Sequence, residues 1–396
     1  MNKTKLLLLS CLLALSLAFV NSSFSLVNTE GWTPKAYMQE ARGGLGVASV
    51  GDKVYAIGGS IQNGLYPPLL NGAIVSTNEE YDSIMDTWIS KEPIPTARAY
   101  FAITSYQNRI YCFGGIIGVE QAPSEINDKI LVQKYVLSSV NEVYDPATDT
   151  WETKTSMPND RMNVLANVVG DKIYVIDGFS RSNEVYDPAA DSWAIKTPLP
   201  YGGTNTASVV VDSKIYVIIN DIYTVDENSS RRLFVYDTEK DVWSQATPPP
   251  SLIIDGPAVA TIGVEAPKRV YALGVQLGNN PAATNYIYDP SSDNWTVGTP
   301  MTVSRIDFGV TMVNDTIFAV GGYTFDASPN SGKVTVSAAN EQYTPAGYEK
   351  LDDSTSPGNL PNNQSQLPVE LTVVVIGAFI CVSVLFFYVR KRKTGT

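Results

Sequence analysis

The sequence predicts an all-β fold in which six repeated units of four short strands close into a ring. Two observations support this prediction. A Tyr-Asp pair followed by Trp recurs at fixed spacing, and an apolar strand precedes each copy. Repeats of this length are typical of arrays in which each unit buries its apolar face against its neighbours.

The repeated motif is the strongest signal in the chain. Five segments contain Tyr-Asp, a further Asp and a Trp seven residues after the Tyr: YDSIMDTW (81–88), YDPATDTW (144–151), YDPAADSW (186–193), YDTEKDVW (236–243) and YDPSSDNW (288–295). Apolar strands with an aromatic second residue precede them or follow the last copy, at 54–59, 110–115, 173–178, 215–220, 270–275 and 317–322. We interpret the first Asp of each copy as a turn residue, because its side chain can bond the backbone of the following residues. These residues are Asp82, Asp145, Asp187, Asp237 and Asp289.

Two further copies are incomplete in complementary ways. Trp32 has no Tyr seven residues before it, and Tyr343 has Lys350, not Trp, seven residues after it. We therefore expect the N-terminal strand to pair into the last unit and complete it. Closure of this kind removes an open sheet edge that would otherwise be free to pair with another chain.

The order of Gly-Gly, Tyr-Asp and Trp in these units resembles the kelch repeat. The resemblance covers roughly residues 30–345. It implies a six-bladed kelch-type β-propeller closed by pairing of the N-terminal strand with the last blade. Three units depart from the pattern, because 177–178, 219–220 and 274–275 replace the paired glycines, so we expect different local turns there.

The chain ends predict export and membrane anchoring. Residues 1–25 are typical of a signal peptide, with two lysines before an apolar run and small polar residues after it. The propeller is predicted over 28–348, a flexible stalk rich in Pro, Asn and Ser over 349–368, and a transmembrane helix over 369–389. The basic tail, 390–396, is expected in the cytoplasm, which places the propeller outside the cell. The alternatives are a buried core helix and a cleaved lipid-anchor signal, and the basic end disfavours the second.

Composition excludes several kinds of function. The chain has 28 basic and 40 acidic residues and no His, with a net charge of −12. The acidic balance disfavours nucleic acid as a partner, and the lack of His excludes His-based catalytic triads and most zinc sites. We expect no cofactor and no metal. Cys112 is the only Cys between the terminal segments, so no internal disulfide is expected there, and we interpret it as a buried, inert thiol.

One face of the ring is the predicted binding site. The long connections within 59–77, 115–141 and 320–330 should rise from it. The residue ten positions after each Trp should begin an inner strand on the same face: Arg42, Arg98, Arg161, Gly203, Ile253 and Arg305. The four arginines would create a local positive potential suited to a carboxylate, an acidic sugar or an acidic loop. The kelch resemblance implies ligand contacts for arginines at such positions. The alternative is that they bond carbonyls between blades or Asp side chains.

The predicted function is binding of an extracellular protein or glycan through this face, and we expect a binding protein rather than an enzyme. Two alternatives remain open, a His-independent sugar isomerase, epimerase or lyase, and a structural component of the surface layer. After the predicted signal peptide, four Asn-x-Ser/Thr motifs are glycan acceptors if the host glycosylates exported proteins: Asn228, Asn294, Asn314 and Asn363.

Overall fold

The computed structural model describes residues 30–65, 73–123, 131–203, 205–220, 231–251, 256–276, 282–325 and 333–349. All of them belong to the compact unit that ends at Glu349. The predicted signal peptide, the stalk from residue 350 onward, the transmembrane helix and the basic tail lie outside the described residues. Within the ranges given, no helix has the length and apolar character needed to cross a membrane.

The described part of the chain forms thirty β-strands and no α-helix. The first ten are β1 (Gly31–Lys35), β2 (Gly46–Val50), β3 (Lys53–Ile57), β4 (Gly64–Leu65), β5 (Asn78–Asp82), β6 (Thr87–Lys91), β7 (Ala102–Tyr106), β8 (Arg109–Phe113), β9 (Ile116–Pro123) and β10 (Leu131–Leu137). The next ten are β11 (Asn141–Asp145), β12 (Thr150–Lys154), β13 (Leu165–Val169), β14 (Lys172–Ile176), β15 (Asn183–Asp187), β16 (Ser192–Ile195), β17 (Asn205–Val211), β18 (Lys214–Asn220), β19 (Arg231–Asp237) and β20 (Val242–Ala246). The last ten are β21 (Ala258–Ala260), β22 (Val270–Gln276), β23 (Ala282–Asp289), β24 (Asn294–Val297), β25 (Arg305–Ile306), β26 (Gly309–Val313), β27 (Thr316–Val320), β28 (Tyr323–Phe325), β29 (Lys333–Val336) and β30 (Asn340–Thr344).

Six sheets of four antiparallel strands account for most of these strands. We name them in chain order, with the strands of each given from first to last: sheet I (β2, β3, β5, β6), sheet II (β7, β8, β11, β12), sheet III (β13–β16), sheet IV (β17–β20), sheet V (β21–β24) and sheet VI (β26, β27, β30, β1). The first strands contact one another in a closed cycle, β2 to β7, β13, β17, β21, β26 and back to β2. The described residues therefore have the radial arrangement of a β-propeller.

The two ends of this unit meet in sheet VI. Strand β1 pairs with β30 so that Trp32 lies opposite Tyr343, and the centroids of their rings are 5.0 Å apart. The predicted completion of the last unit by the N-terminal strand is confirmed by this pairing. Strand β1 is the outermost strand of its sheet, with β30 as its hydrogen-bonded neighbour.

A repeated clip joins each sheet to the next. Between sheets II and III, the backbone N–H of Thr155 donates to Asp191 Oδ1 at 2.9 Å, and its carbonyl accepts from Trp193 Nε1 at 3.0 Å. The same Asp191 oxygen accepts from the Tyr186 hydroxyl at 2.6 Å. At the other junctions, the matching residue likewise donates its N–H to the acidic residue of the neighbouring unit and accepts from the Trp of that unit. These residues are Ala36, Glu92, Thr197, Thr247 and Thr299. The second Asp and the Trp of the motif therefore connect sheets, whereas the first Asp has the predicted turn role, as when Asp82 accepts from the N–H groups of residues 84 and 85.

The closing junction uses a residue that sequence reasoning missed. Glu30 stands two positions before Trp32, where the other copies have Asp, and it accepts a hydrogen bond of 2.6 Å from the Tyr343 hydroxyl. It also accepts a longer bond of 3.4 Å from the Thr299 N–H. An acidic residue two positions before Trp is thus present in all six units, and in the last unit the N-terminal segment supplies it as Glu30.

The core consists of apolar layers between neighbouring sheets. Cys112 belongs to one of them, with Ile57, Ile110 and Tyr144, and is fully buried. Burial raises the pKa of its thiol. The interpretation of Cys112 as a buried thiol is confirmed.

The paired glycines and their replacements behave as predicted. Gly58 and Gly59 have φ values of 59° and 103°, in the region that favours glycine, and the equivalent pairs at 114–115 and 321–322 do the same. In sheets IV and V the second strand continues without this turn, through Asn220 and Gln276. The local geometry differs there and the cycle of sheets is retained.

Two of the four predicted glycan acceptors lie in the described residues. Asn294 begins β24 and is exposed. Asn314 has a φ of 48° and its side-chain amide donates to Asp52 at 3.1 Å. Asn228 and Asn363 lie outside the described residues, and glycosylation stays a prediction for all four.

Candidate functional site

The four predicted arginines are all buried against a glutamate of their own sheet. Three are fully buried and Arg161 is 7% exposed. The ion pairs are Arg42–Glu79 at 2.5 Å, Arg98–Glu142, Arg161–Glu184 at 2.5 Å and Arg305–Glu341 at 2.8 Å. Each lies four positions before the first strand of its sheet, and not at the first residue of that strand as predicted.

Backbone carbonyls take up the other guanidinium donors. Arg305, for example, donates to the carbonyls of Ala319, Gly321 and Ala339 at 2.8 to 3.1 Å. Burial lowers the pKa of Arg305 to about 10, with Glu341 acting in the opposite direction, so the group stays charged at neutral pH. The backbone also connects neighbours, since the Arg98 carbonyl accepts from the N–H of Gly59 in the preceding sheet at 2.8 Å.

These contacts give the arginines a structural role, as the alternative interpretation expected, but its partners were wrong. The guanidinium groups bond carbonyls and a glutamate of their own sheet, and not carbonyls between blades or Asp side chains. Their ligand-binding role stays a prediction, and none of the four presents an exposed guanidinium to the face. The sequence contained a signal for the ion pairs. Glu stands two positions before the motif Tyr in the four units that have the arginine, whereas the units of sheets IV and V have Phe234 and Tyr286 there.

A central cavity of about 280 Å³ lies among the six inner strands. Its wall combines apolar residues, such as Leu45, Phe101 and Val164, with polar ones such as Ser208. At the end where the inner strands begin, the cavity is lined by residues that precede those strands, including Gly44, Tyr100, Asn163 and Asp307. We call this end the mouth.

A left-handed backbone residue recurs at the mouth, two positions after each arginine. Gly44, Tyr100, Asn163 and Asp307 have φ values of 61°, 54°, 52° and 50°. Their backbones form a chain of hydrogen bonds around the mouth, from Gly44 N–H to Asp307 O at 2.8 Å, from Tyr100 N–H to Gly44 O at 2.8 Å, and from Asn163 N–H to Tyr100 O at 2.9 Å. This conformation is unfavourable for an aromatic residue, and such strained positions cluster at functional sites.

The side chains at the mouth form a polar cluster. The Tyr100 hydroxyl donates to Asp307 Oδ2 at 2.8 Å, and its ring passes over Gly44, where a Cβ would stand 2.8 Å from the ring. Tyr323 is fully buried beside Ser60 and Tyr100. Burial raises the pKa of Tyr323 to about 12, so at neutral pH this residue is a phenol and not a base. The cluster supplies hydroxyl donors and one carboxylate acceptor, which suit a polar ligand.

The inserted connections rise around the same mouth. Strands β9 and β10 form a hairpin that is bonded to the mouth segments through the bridges Ala99–Ile116 and Ser138–Arg161. A second small sheet joins β25, β28, β29 and β4, which come from the insertions of sheets VI and I. The prediction that the long connections share one face is confirmed for their described parts.

Metal chemistry has no visible site in the described ranges. No group of three or more Cys, Asp or Glu side chains is placed there to hold an ion. The side chains described at the mouth offer hydrogen bonds, aromatic contact and the charge of Asp307.

A fold made of radial four-stranded sheets around a central cavity defines a β-propeller. The Kelch motif model matches residues 41–93 and 97–158. These two stretches of the chain therefore carry kelch repeats.

The chain is similar to curated proteins in sequence and to a solved structure in fold. The chain is similar to Kelch-like protein 23 of Homo sapiens, with 24% identity over 335 residues that cover 84% of this chain and 45% of the relative. It is similar to Beta-scruin of Limulus polyphemus, with 28% identity over 156 residues, or 39% of this chain and 15% of the relative. These matches span less than half the length of either relative. The solved structure of YjhT superimposes with a TM-score of 0.55 and 14% identity, covering 76% of this chain and 95% of that chain, which is a likeness of fold.

Proposed function

We propose that this protein is a six-bladed kelch propeller that binds a protein partner through the face at the mouth. One observation carries the proposal. The residues that depart from the repeat, namely the hairpin of β9 and β10, the small sheet containing β28 and β29, and the Tyr100–Asp307 pair, collect on this face. Long insertions on a rigid scaffold are where binding usually resides, and kelch repeats generally mediate contacts between proteins.

A binding screen tests this proposal. The purified full chain is presented to panels of extracellular proteins and glycans, and each hit is titrated against Asn163→Ala, which removes an exposed amide at the mouth. Thr148→Ala is the matched control, because Thr148 is an exposed polar residue in the turn before β12, on the opposite face. We expect binding to weaken about tenfold for Asn163→Ala only. Equal binding by both variants would argue against this face.

A sugar-converting enzyme is the second candidate. The Tyr100–Asp307 pair favours it, because a tyrosine hydroxyl bonded to a carboxylate beside a cavity is an arrangement that can move protons. Incubating sugar hits with the full chain and following them by NMR separates the two candidates. Saturable binding without product supports the binding module, product formation that is lost in Tyr100→Phe supports the enzyme, and the absence of both favours a structural surface component.

We further propose that the protein is exported and anchored once in the membrane, with 390–396 in the cytoplasm. The support is the sequence pattern of 1–25 and 369–389. Protease treatment of intact cells tests the orientation. Digestion should remove the propeller and leave a tag placed after residue 396 intact, and loss of that tag with an intact propeller would reverse the assignment.

A further inference from the structure

The turn between β14 and β15 presents an exposed aromatic side chain on the mouth face. Phe179 is 82% exposed, the highest value for an aromatic side chain in the described residues. The turn that carries it is fixed. Asp177 accepts from Phe179 N–H at 2.8 Å, Ser180 N–H at 3.2 Å and Ser180 Oγ at 2.6 Å. Phe179 is therefore held outward on a rigid support.

Two arginines flank this turn without a carboxylate partner among the described residues. Arg181 is exposed and donates to the Pro200 carbonyl at 3.2 Å. Arg232 lies over the ring of Tyr201, with its guanidinium carbon 4.0 Å from the ring centroid, and its Nε atom is buried without an acceptor in these residues. By contrast, the other arginines of sheets I to III and VI are ion-paired.

The segments that carry Phe179, Arg181 and Tyr201 are bonded to each other, and Arg232 stacks on Tyr201. Two backbone hydrogen bonds join the turn to the segment that follows β16. Leu199 N–H donates to the Arg181 carbonyl at 2.9 Å, and Gly203 N–H donates to the Gly178 carbonyl at 2.9 Å. These bonds place Tyr201 beside the turn. We call the surface of Phe179, Arg181, Tyr201 and Arg232 the aromatic–arginine patch.

We propose that the aromatic–arginine patch binds an acidic segment of the partner protein that carries an apolar side chain next to its carboxylates. This inference rests on the proposed function and specifies its partner. Aromatic and arginine residues are enriched among the side chains that dominate protein interfaces, and unpaired guanidinium groups match carboxylates. The protein is acidic overall, so an acidic partner is repelled at long range. Salt screens that repulsion beyond about 8 Å, which leaves recognition to contacts made at the patch itself.

The test uses the full chain and a display library of random short peptides. The recovered peptides are titrated against Phe179→Ala and Arg181→Gln. Ile195→Ala is the matched control for the first, as an 83% exposed apolar residue on the outer strand β16, and Arg109→Gln for the second, as an exposed but ion-paired arginine on the opposite face. We expect peptides rich in Asp and Glu beside an apolar residue, about 30-fold weaker binding for Phe179→Ala, about tenfold weaker binding for Arg181→Gln, and no change for the controls.

Other results overturn the inference in distinguishable ways. Neutral or basic peptides, or no recovered peptides, contradict an acidic partner. Peptides that lose affinity with Asn163→Ala but not with the patch variants leave the mouth face as the binding site and remove the patch from it. Peptides that bind all variants equally contradict both proposals.

Discussion

Replacing Trp32 with Ala tests whether the two ends of the propeller hold the ring closed. Trp32 is 9% exposed, and its ring packs on Tyr343 at a centroid distance of 5.0 Å, in a layer with Met301. Its indole N–H donates to the Thr299 carbonyl of the neighbouring sheet at 2.9 Å. The substitution removes both the packing and the bond between sheets V and VI.

The expected loss is a large part of the stability of the domain. Truncating a buried Trp to Ala costs about 3–5 kcal/mol, compared with a typical total of about 5–15 kcal/mol. Trp88→Ala is the matched control. Trp88 is 7% exposed and lies 5.0 Å from Tyr81, but its strand β6 remains joined to β5 by the turn at 83–86. Strand β1 has no such turn, since it reaches its partner β30 from the other end of the unit.

The two variants should therefore differ in where they open and not only in stability. Denaturant titration of the full chain gives the free energy of unfolding, and hydrogen exchange followed by mass spectrometry reports on single strands. We expect both variants to lose about 3–5 kcal/mol, with fast exchange in 31–35 and 340–344 for Trp32→Ala only. Slow exchange of these two strands in Trp32→Ala, at the rate seen in Trp88→Ala, would refute closure by the chain ends.

Three further predictions concern buried or bonded side chains. Arg98→Ile should lower the free energy of unfolding by about 3–5 kcal/mol because it leaves the buried Glu142 carboxylate unpaired. Adding Glu142→Tyr should restore most of that stability in denaturant titrations. A double variant no more stable than the single one would contradict this account. Asp86 has its pKa lowered by hydrogen bonds from the Tyr81 hydroxyl and then a backbone N–H, so it stabilises the fold above its unfolded pKa of about 4 and loses that effect as the pH falls through the folded value. Asp86→Asn should therefore flatten the acid side of a plot of melting temperature against pH, and an unchanged slope would count against it. Cys112 should react with iodoacetamide only after unfolding, because its thiol is buried and its pKa raised, and modification of the native chain would show that the strand opens.

The sequence predicted the architecture because the repeat encodes contacts that recur in every unit. The fixed interval from Tyr to Trp places the two rings on paired strands, at 5.0 Å in sheet III as in sheet VI. The unit that is divided between the two chain ends could be found from Trp32 and Tyr343 alone for the same reason. Glu30 was missed because it lies outside the motif as read from its Tyr, although its distance to Trp32 matches the Asp of the other units.

The site was less predictable because position on a face does not determine exposure. The four arginines lie at the expected end of the inner strands, four positions before them, yet each guanidinium turns inward to a glutamate of the third strand. That orientation depends on an arginine and a glutamate 23 to 44 positions apart, and only the arginine belongs to the pattern that predicted the site. The mouth residues at 100, 163 and 307 carry no motif at all, and their shared backbone conformation is visible only in three dimensions.

Function in this chain is expected at the positions that break the repeat. The repeated residues already have partners within the propeller. The motif Tyr donates a hydrogen bond to the second Asp, and that Asp accepts one from the backbone of the neighbouring sheet. The arginine forms an ion pair with the glutamate of its own sheet. A side chain with these internal partners loses them if it turns to a ligand, at a cost of about 3–5 kcal/mol for a buried ion pair. Residues that break the repeat carry no such cost. Phe179 and Asn163 are exposed on the mouth face, so recognition should depend on these irregular positions and tolerate change in the regular ones that leaves the ring intact.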